Sequence, residues 1–223
     1  ERSQNYINVF DPTTKFMRGR FRNTWFAPFD PYEVNFNYTE ANSWQYSFYV
    51  PHDITGFMNL QGGKDQLEKQ LDKLFIADDK TSGRAQADIT GLIGQYAHGN
   101  EPSHHMAYLY NFVNKPYKTQ EKTRQILTEL YTNSPDGVSG NEDCGQMSAW
   151  YIFSSLGFYP VTPGSNQYII GSPLFDKATI HLEGGKLFTV EAKNNSLENK
   201  YIKNVQLNNK AYPYSYLKHS DIV

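Results

Sequence analysis

Apolar residues recur at helical spacing through most of the first 160 positions, then shift to a roughly two-residue period beyond Asn166. The clearest helix face is Met147, Trp150, Tyr151 and Ser154, at i, i+3, i+4 and i+7, with Gly157 and Pro160 to stop it. Leu67, Leu71, Leu74 and Phe75 predict a helix over 64–75, and Ile126, Leu127 and Leu130 one over 118–131. Further helices are expected over 52–60, 88–96 and 102–113, the last with Met106, Leu109, Tyr110 and Val113 on one face and Pro102 at its first position. Thr39 is expected to cap a helix running to Val50, where Pro51 marks a boundary. The first ten residues carry Tyr6, Val9 and Phe10 at helix spacing, and 23–37 reads as a long loop.

Beyond Asn166 the runs Tyr168-Ile-Ile170, Ala178-Thr-Ile-His-Leu182, Leu187-Phe-Thr-Val190 and Tyr201-Ile-Lys-Asn-Val-Gln-Leu207 are β-rich. They are separated by Gly184-Gly185, Asn194-Asn195 and Asn208-Asn209. The fold class expected is mainly α with a β-rich C-terminal part: a helical region over 1–163, then antiparallel strands over 164–223. No fixed sequence motif repeats, which argues against a solenoid.

Charge narrows the partners. Lys plus Arg number 21 against 23 Asp plus Glu, so there is no basic footprint for nucleic acid and no polybasic patch for a membrane surface. No apolar run is long enough to span a bilayer. Cys144 is the only cysteine, which excludes an internal disulfide and a thiolate metal cluster; a nucleophilic or a buried structural thiol both remain open. Seventeen Tyr, 14 Phe and 3 Trp serve equally to fill a core or to stack on the C–H faces of sugars. There is no initiator Met and the chain stops after strand-like segments, so a piece of a longer protein is expected.

Three stretches concentrate polar chemistry ahead of predicted helices: Glu40 beside Trp44, then His98, Asn100 and Glu101, then Asn141, Glu142 and Asp143. The acidic pair 142–143 fits either a helix-dipole complement or a site. Converging loops with several oxygen donors would suit a hard cation. His98, His104 and His105 with a nearby acid pose a zinc alternative, although adjacent helical residues point about 100° apart. Ser148 and Ser155 lack the elbow setting of an acyl-transfer nucleophile.

Tyr38-Thr-Glu-Ala-Asn-Ser-Trp-Gln-Tyr46, His98-Gly-Asn-Glu-Pro-Ser-His-His105 and Gly140-Asn-Glu-Asp-Cys-Gly-Gln-Met-Ser-Ala-Trp150, in that order, resemble the glycoside hydrolase family 92 α-mannosidases. The stretches 57–63 and Leu156-Gly-Phe-Tyr-Pro-Val-Thr-Pro-Gly164 add to the likeness. The resemblance implies a bacterial, periplasmic or extracellular exo-α-mannosidase, inverting and Ca2+-dependent, removing terminal mannose (α-1,2 expected) from mannose-containing glycans. It implies the later part of an (α/α)6 barrel here, with the N-terminal β-sandwich and the rest of the barrel lying outside this chain. By matching position, Glu40 resembles the general acid and Asp143 the general base. Asn100, Glu101 and Asp143 are implied near calcium, and His98, Trp44, Glu142 and Asn141 near the sugar. The family usually has an acid where this chain has Asn141. A general acid must be protonated, whereas a helix N-terminus favours the carboxylate, so burial against Trp44, Trp25 or Tyr38 would have to offset it. A non-catalytic calcium-dependent sugar-binding module, or an inactive fragment, is the alternative.

Overall fold

The computed structural model describes residues 2–223. The chain forms two compact units: one of residues 1–106 with 138–141, the other of 107–137 with 142–223. The last long helix falls in the second of these units, with the strands.

In the first unit, residues Arg2–Val9 form a 3-10 helix and Phe10–Asp11 pairs antiparallel with Phe16–Met17. Two α-helices supply the core. Ile54–Gln61 is capped by the Asp53 carboxylate, which accepts from the Gly56 N–H, and ends at Gly62 in the left-handed region. Lys64–Ile76 follows, with Leu67, Leu71 and Leu74 fully buried. Burying each of those leucines stabilises the unit by roughly 1.5–3 kcal/mol before entropy is counted.

Three expectations here are corrected. The helix expected from Thr39 to Val50 is the single turn Ser43–Tyr46, and its cap is Asn42, whose side chain accepts from the Gln45 N–H. The expected loop 23–37 contains Glu33–Val34, which pairs parallel with Ser82–Gly83. The helix expected over 88–96 is a hairpin, Leu92–Ile93 against Tyr96–Ala97. Gly91 and Gly94, both at φ 61°, explain that result: Gly94 opens a two-residue turn of the kind that twists with the strands and interrupts any helix.

The residues expected as one helix over 102–113 are broken, α-helical only at Leu109–Phe112, which belongs to the second unit. Pro116–Glu129 carries proline at its start and buries Ile126 and Leu127. Arg124, also buried, donates to the carbonyls of Pro173 and Ser196 and to Asn195 Oδ1, tying the helix to the loops between strands. Gln146–Leu156 ends at Gly157, φ 95°, as its sequence predicts. The order Tyr216–Lys218, Gln167–Ile170, Phe158–Tyr159 makes an antiparallel sheet, and Lys177–His181 pairs with Leu187–Glu191. Phe153 of the helix stacks on Tyr168 of that sheet at 6.2 Å, which is why helix and strands fold as one unit. The stretch 201–207 is a strand only at Gln206–Leu207, joined to Lys210–Ala211 through Asn208 and Asn209 at φ 50° and 62°.

Candidate active site

Glu40 lies on an irregular bend two residues before the Asn42 cap. It is therefore outside the first turn, and the objection that the helix terminus acts on it directly does not apply. Its Oε2 accepts from Asn100 Nδ2 at 3.0 Å and from the Tyr46 hydroxyl at 3.3 Å. Burial first, and then the charge and hydrogen bond of Glu40, push the Tyr46 phenol up to about 12. Tyr46 leans on Tyr38, ring centroids 6.0 Å apart, and Tyr38 is itself bonded to the Met17 carbonyl.

Residues 41–45, which follow this bend, are buried. Trp44 is packed edge-on against Phe16 at 4.7 Å, and among the described residues its Nε1 has no hydrogen-bond partner. Both amide atoms of Gln45 and the hydroxyl of Ser103 are likewise buried without one. Native interiors leave few such atoms.

Asn100 is 5% exposed and precedes the 3-10 turn Glu101–Ser103. Glycine brings the next motif against it. The Gly99 N–H donates to the Thr90 carbonyl, and the Thr90 hydroxyl donates to the Ser139 carbonyl. A Cβ on Gly99 would strike Thr90 Oγ1 and Ser139 O, and one on Gly140 would stand 2.9 Å from Gly99 Cα. Only glycine lets these two loops approach so closely. Asn141, the next residue, donates to Asp88 Oδ1 at 3.3 Å, while Gln86 holds Asp88 Oδ2. Glu40, the His98–Glu101 loop and the Ser139–Asn141 loop thus gather in one unit. Sequence reading passed over Tyr46, Thr90 and Asp88 here; Tyr46 sits inside a motif already singled out, whereas nothing local marks Thr90 or Asp88.

His98 is fully buried, with Nδ1 2.8 Å from the Tyr96 hydroxyl and its carbonyl 2.9 Å from His104 Nε2. His105 Nε2 lies 2.7 Å from the Phe48 carbonyl. Burial is the first cause that lowers all three pKa values, to about 4 for His104 and His105. These are neutral core imidazoles. Among the described residues no three of His, Cys, Asp and Glu stand together as a metal-holding group.

In the second unit, Glu142 engages the start of the Gln146–Leu156 helix. Its Oε1 accepts from the Ser148 N–H at 3.0 Å and its Oε2 from the Ser148 hydroxyl at 2.9 Å. The helix has Gly145 at its cap position with no side-chain bond of its own, so Glu142 does that work from three residues upstream. Asp143, Cys144 and Gly145 all take left-handed backbone, φ 50°, 57° and 92°. Asp tolerates that region and Gly favours it; Cys does neither. Asp143 and Cys144 are exposed. The Trp150 ring lies parallel to Tyr131, whose hydroxyl donates to the Met147 carbonyl; burial and then Glu142 raise that phenol's pKa.

For a hard cation, Asn100 and Glu101 offer amide and carboxylate oxygens, the donor type Ca2+ takes. Because Asn100 Nδ2 is committed to Glu40, its Oδ1 is the atom that would face an ion.

The model of the glycosyl hydrolase family 92 catalytic domain matches residues 1–223. A family GH92 α-mannosidase from Bacteroides thetaiotaomicron is 45% identical, with a TM-score of 0.88 over 99% of this chain and 29% of its own. A family GH92 inverting mannosidase from the same organism is 38% identical, with a TM-score of 0.85 over 98% of this chain and 31% of its own. An uncharacterized secreted glycosidase of Arthroderma benhamiae is 31% identical over 183 residues, 81% of this chain and 22% of that protein. The chain therefore spans less than a third of the relatives it matches.

Proposed function

We propose, since the chain belongs to glycosyl hydrolase family 92, that it is part of an exo-acting α-mannosidase removing terminal α-linked mannose from glycans. The α-1,2 linkage is the preferred substrate in this reading, and the reaction proceeds with inversion. The observation that carries the proposal is the hydrogen bond from Asn100 to Glu40, with the Gly99–Gly140 approach that brings the Ser139–Asn141 loop against the loop of Asn100.

In this mechanism Glu40 gives its proton to the glycosidic oxygen as the bond to C1 breaks, and the bonding pair leaves with that oxygen. Asp143 takes a proton from the water that attacks C1 from the opposite face. Inverting hydrolysis places the two carboxyl groups roughly 6.5–9.5 Å apart to admit that water. Neighbours such as Glu142 and Asp143 suit such a pair less well than residues on separate loops. Asp143 is assigned as the base by its position in the family's motif, while Glu142 accepts from Ser148 at the helix start.

We assign Ca2+ to the oxygens of Asn100, Glu101 and Asp143. Bound there, it would supply positive charge to polarise sugar hydroxyls and the water. His98, Trp44 and Asn141 are assigned to the sugar's surroundings, Asn141 as an amide where the family usually has an acid. The remaining part of an (α/α)6 barrel and a β-sandwich are assigned to the rest of the protein. The secreted relative supports an extracellular or periplasmic location, and no helix of the described residues is long and apolar enough to cross a membrane.

Proton NMR during hydrolysis of an α-mannoside by the full-length protein tests this directly. β-Mannose is expected to appear first; α-mannose first would overturn inversion. Chelation should abolish turnover and calcium should restore it, whereas restoration by zinc alone would overturn the calcium assignment.

A further inference from the structure

We propose that Tyr46 is a positioning residue for Glu40. Together with Asn100 it occupies Oε2 and so reserves Oε1 as the atom that delivers the proton. The inference rests on Glu40 being the general acid.

Both donors converge on one oxygen, Asn100 Nδ2 at 3.0 Å and the Tyr46 hydroxyl at 3.3 Å, and among the described residues no donor reaches Oε1. An oxygen that accepts two donors is a poor place for the acid's own hydrogen, which would point into them. The proton therefore resides on Oε1. Both donors are fixed: Tyr46 ends the Ser43–Tyr46 turn, whose other residues are buried, and rests on Tyr38, while Asn100 is buried. The carboxyl group they hold sits on an irregular bend.

When Oε1–H passes its proton to the leaving oxygen, Glu40 becomes a carboxylate. Both bonds to Oε2 then become charge-assisted and strengthen. Tyr46 thus contributes more in the transition state than in the bound ground state, which raises kcat rather than lowering KM. The 3.3 Å separation is long for an O–H···O bond, as such contacts often are before substrate binds.

The test uses the full-length, calcium-loaded enzyme bearing Tyr46→Phe, which keeps the ring against Tyr38 and removes only the hydroxyl. On an alkyl α-mannoside kcat is expected to fall about tenfold, the order of one hydrogen bond to a charged group. KM should hold, and kcat on an activated aryl α-mannoside should stay within about twofold, because a good leaving group needs little protonation. Equal losses on both substrates, a change in KM alone, or no change at all would overturn the proposal. A 3-fluorotyrosine substitution at Tyr46 preserves shape and donates more strongly, so it should keep the alkyl rate even if Tyr46→Phe folds poorly. A loss as large as that of the Phe variant would count against the role. Glu40→Gln in parallel separates the two levels. If it retains alkyl activity, the assignment of Glu40 fails; if it is crippled while Tyr46→Phe is not, only the role of Tyr46 fails.

Discussion

His105 shows how one buried side chain sets a condition on the whole unit. Its ring is enclosed, with Nε2 on the Phe48 carbonyl and Tyr49 at 5.8 Å, and burial lowers its pKa to about 4 despite that favourable bond. An unfolded histidine takes up a proton near 6.5, while the folded one stays neutral down to about 4. The unfolded chain binds more protons across that window, so stability is full above it and falls as pH drops through it. The loss approaches 1.4 kcal/mol per pH unit for one such group. Unfolding free energy measured at pH 7 and pH 5 should therefore fall by roughly 2 kcal/mol for each histidine of this kind. Equal stability at the two pH values would contradict the neutral, buried state. Such histidines read in the sequence as possible ligands, because burial is a property of the fold rather than of the local pattern.

At the scale of elements, the long periodic helices were legible and the short ones were not. Lys64–Ile76, Pro116–Glu129 and Gln146–Leu156 each bury a stripe that recurs at 3.6 residues. Leu92, Ile93 and Tyr96 satisfy the same spacing, yet Gly91 and Gly94 carry the chain through left-handed turns into a hairpin. The Gly94-Gln95 pair was the available signal. Thr39 was a plausible cap, but Asn42 has the bond, which moves Glu40 off the helix and changes the electrostatics of the candidate acid. Glu142 belongs to this scale as well, since both its oxygens hold Ser148. Glu142→Ala should lower unfolding free energy by about 1 kcal/mol, the usual cost of a lost cap. Glu142→Gln, which keeps an acceptor, should cost less than half of that. Denaturant melts of both variants check this; equal losses would remove the capping role.

For the whole molecule, motif order was enough to point to the family, because three long stretches are each specific and their sequence along the chain is too. What the sequence could not carry was the pairing of side chains: that Asn100 faces Glu40, that Asn141 faces Asp88, and that two glycines 41 positions apart in sequence let their loops touch. Those contacts depend on packing between distant segments. They also give Glu40 Oε2 two donors, Asn100 and Tyr46. The most direct measurement of the central claim is therefore kcat of full-length Glu40→Gln on a pair of α-mannosides, one with an alkoxide and one with an activated phenol as leaving group. The account predicts a loss of at least about a hundredfold on the alkyl substrate, the contribution of a general acid, and a near wild-type rate on the aryl one. Wild-type rates on both would contradict it.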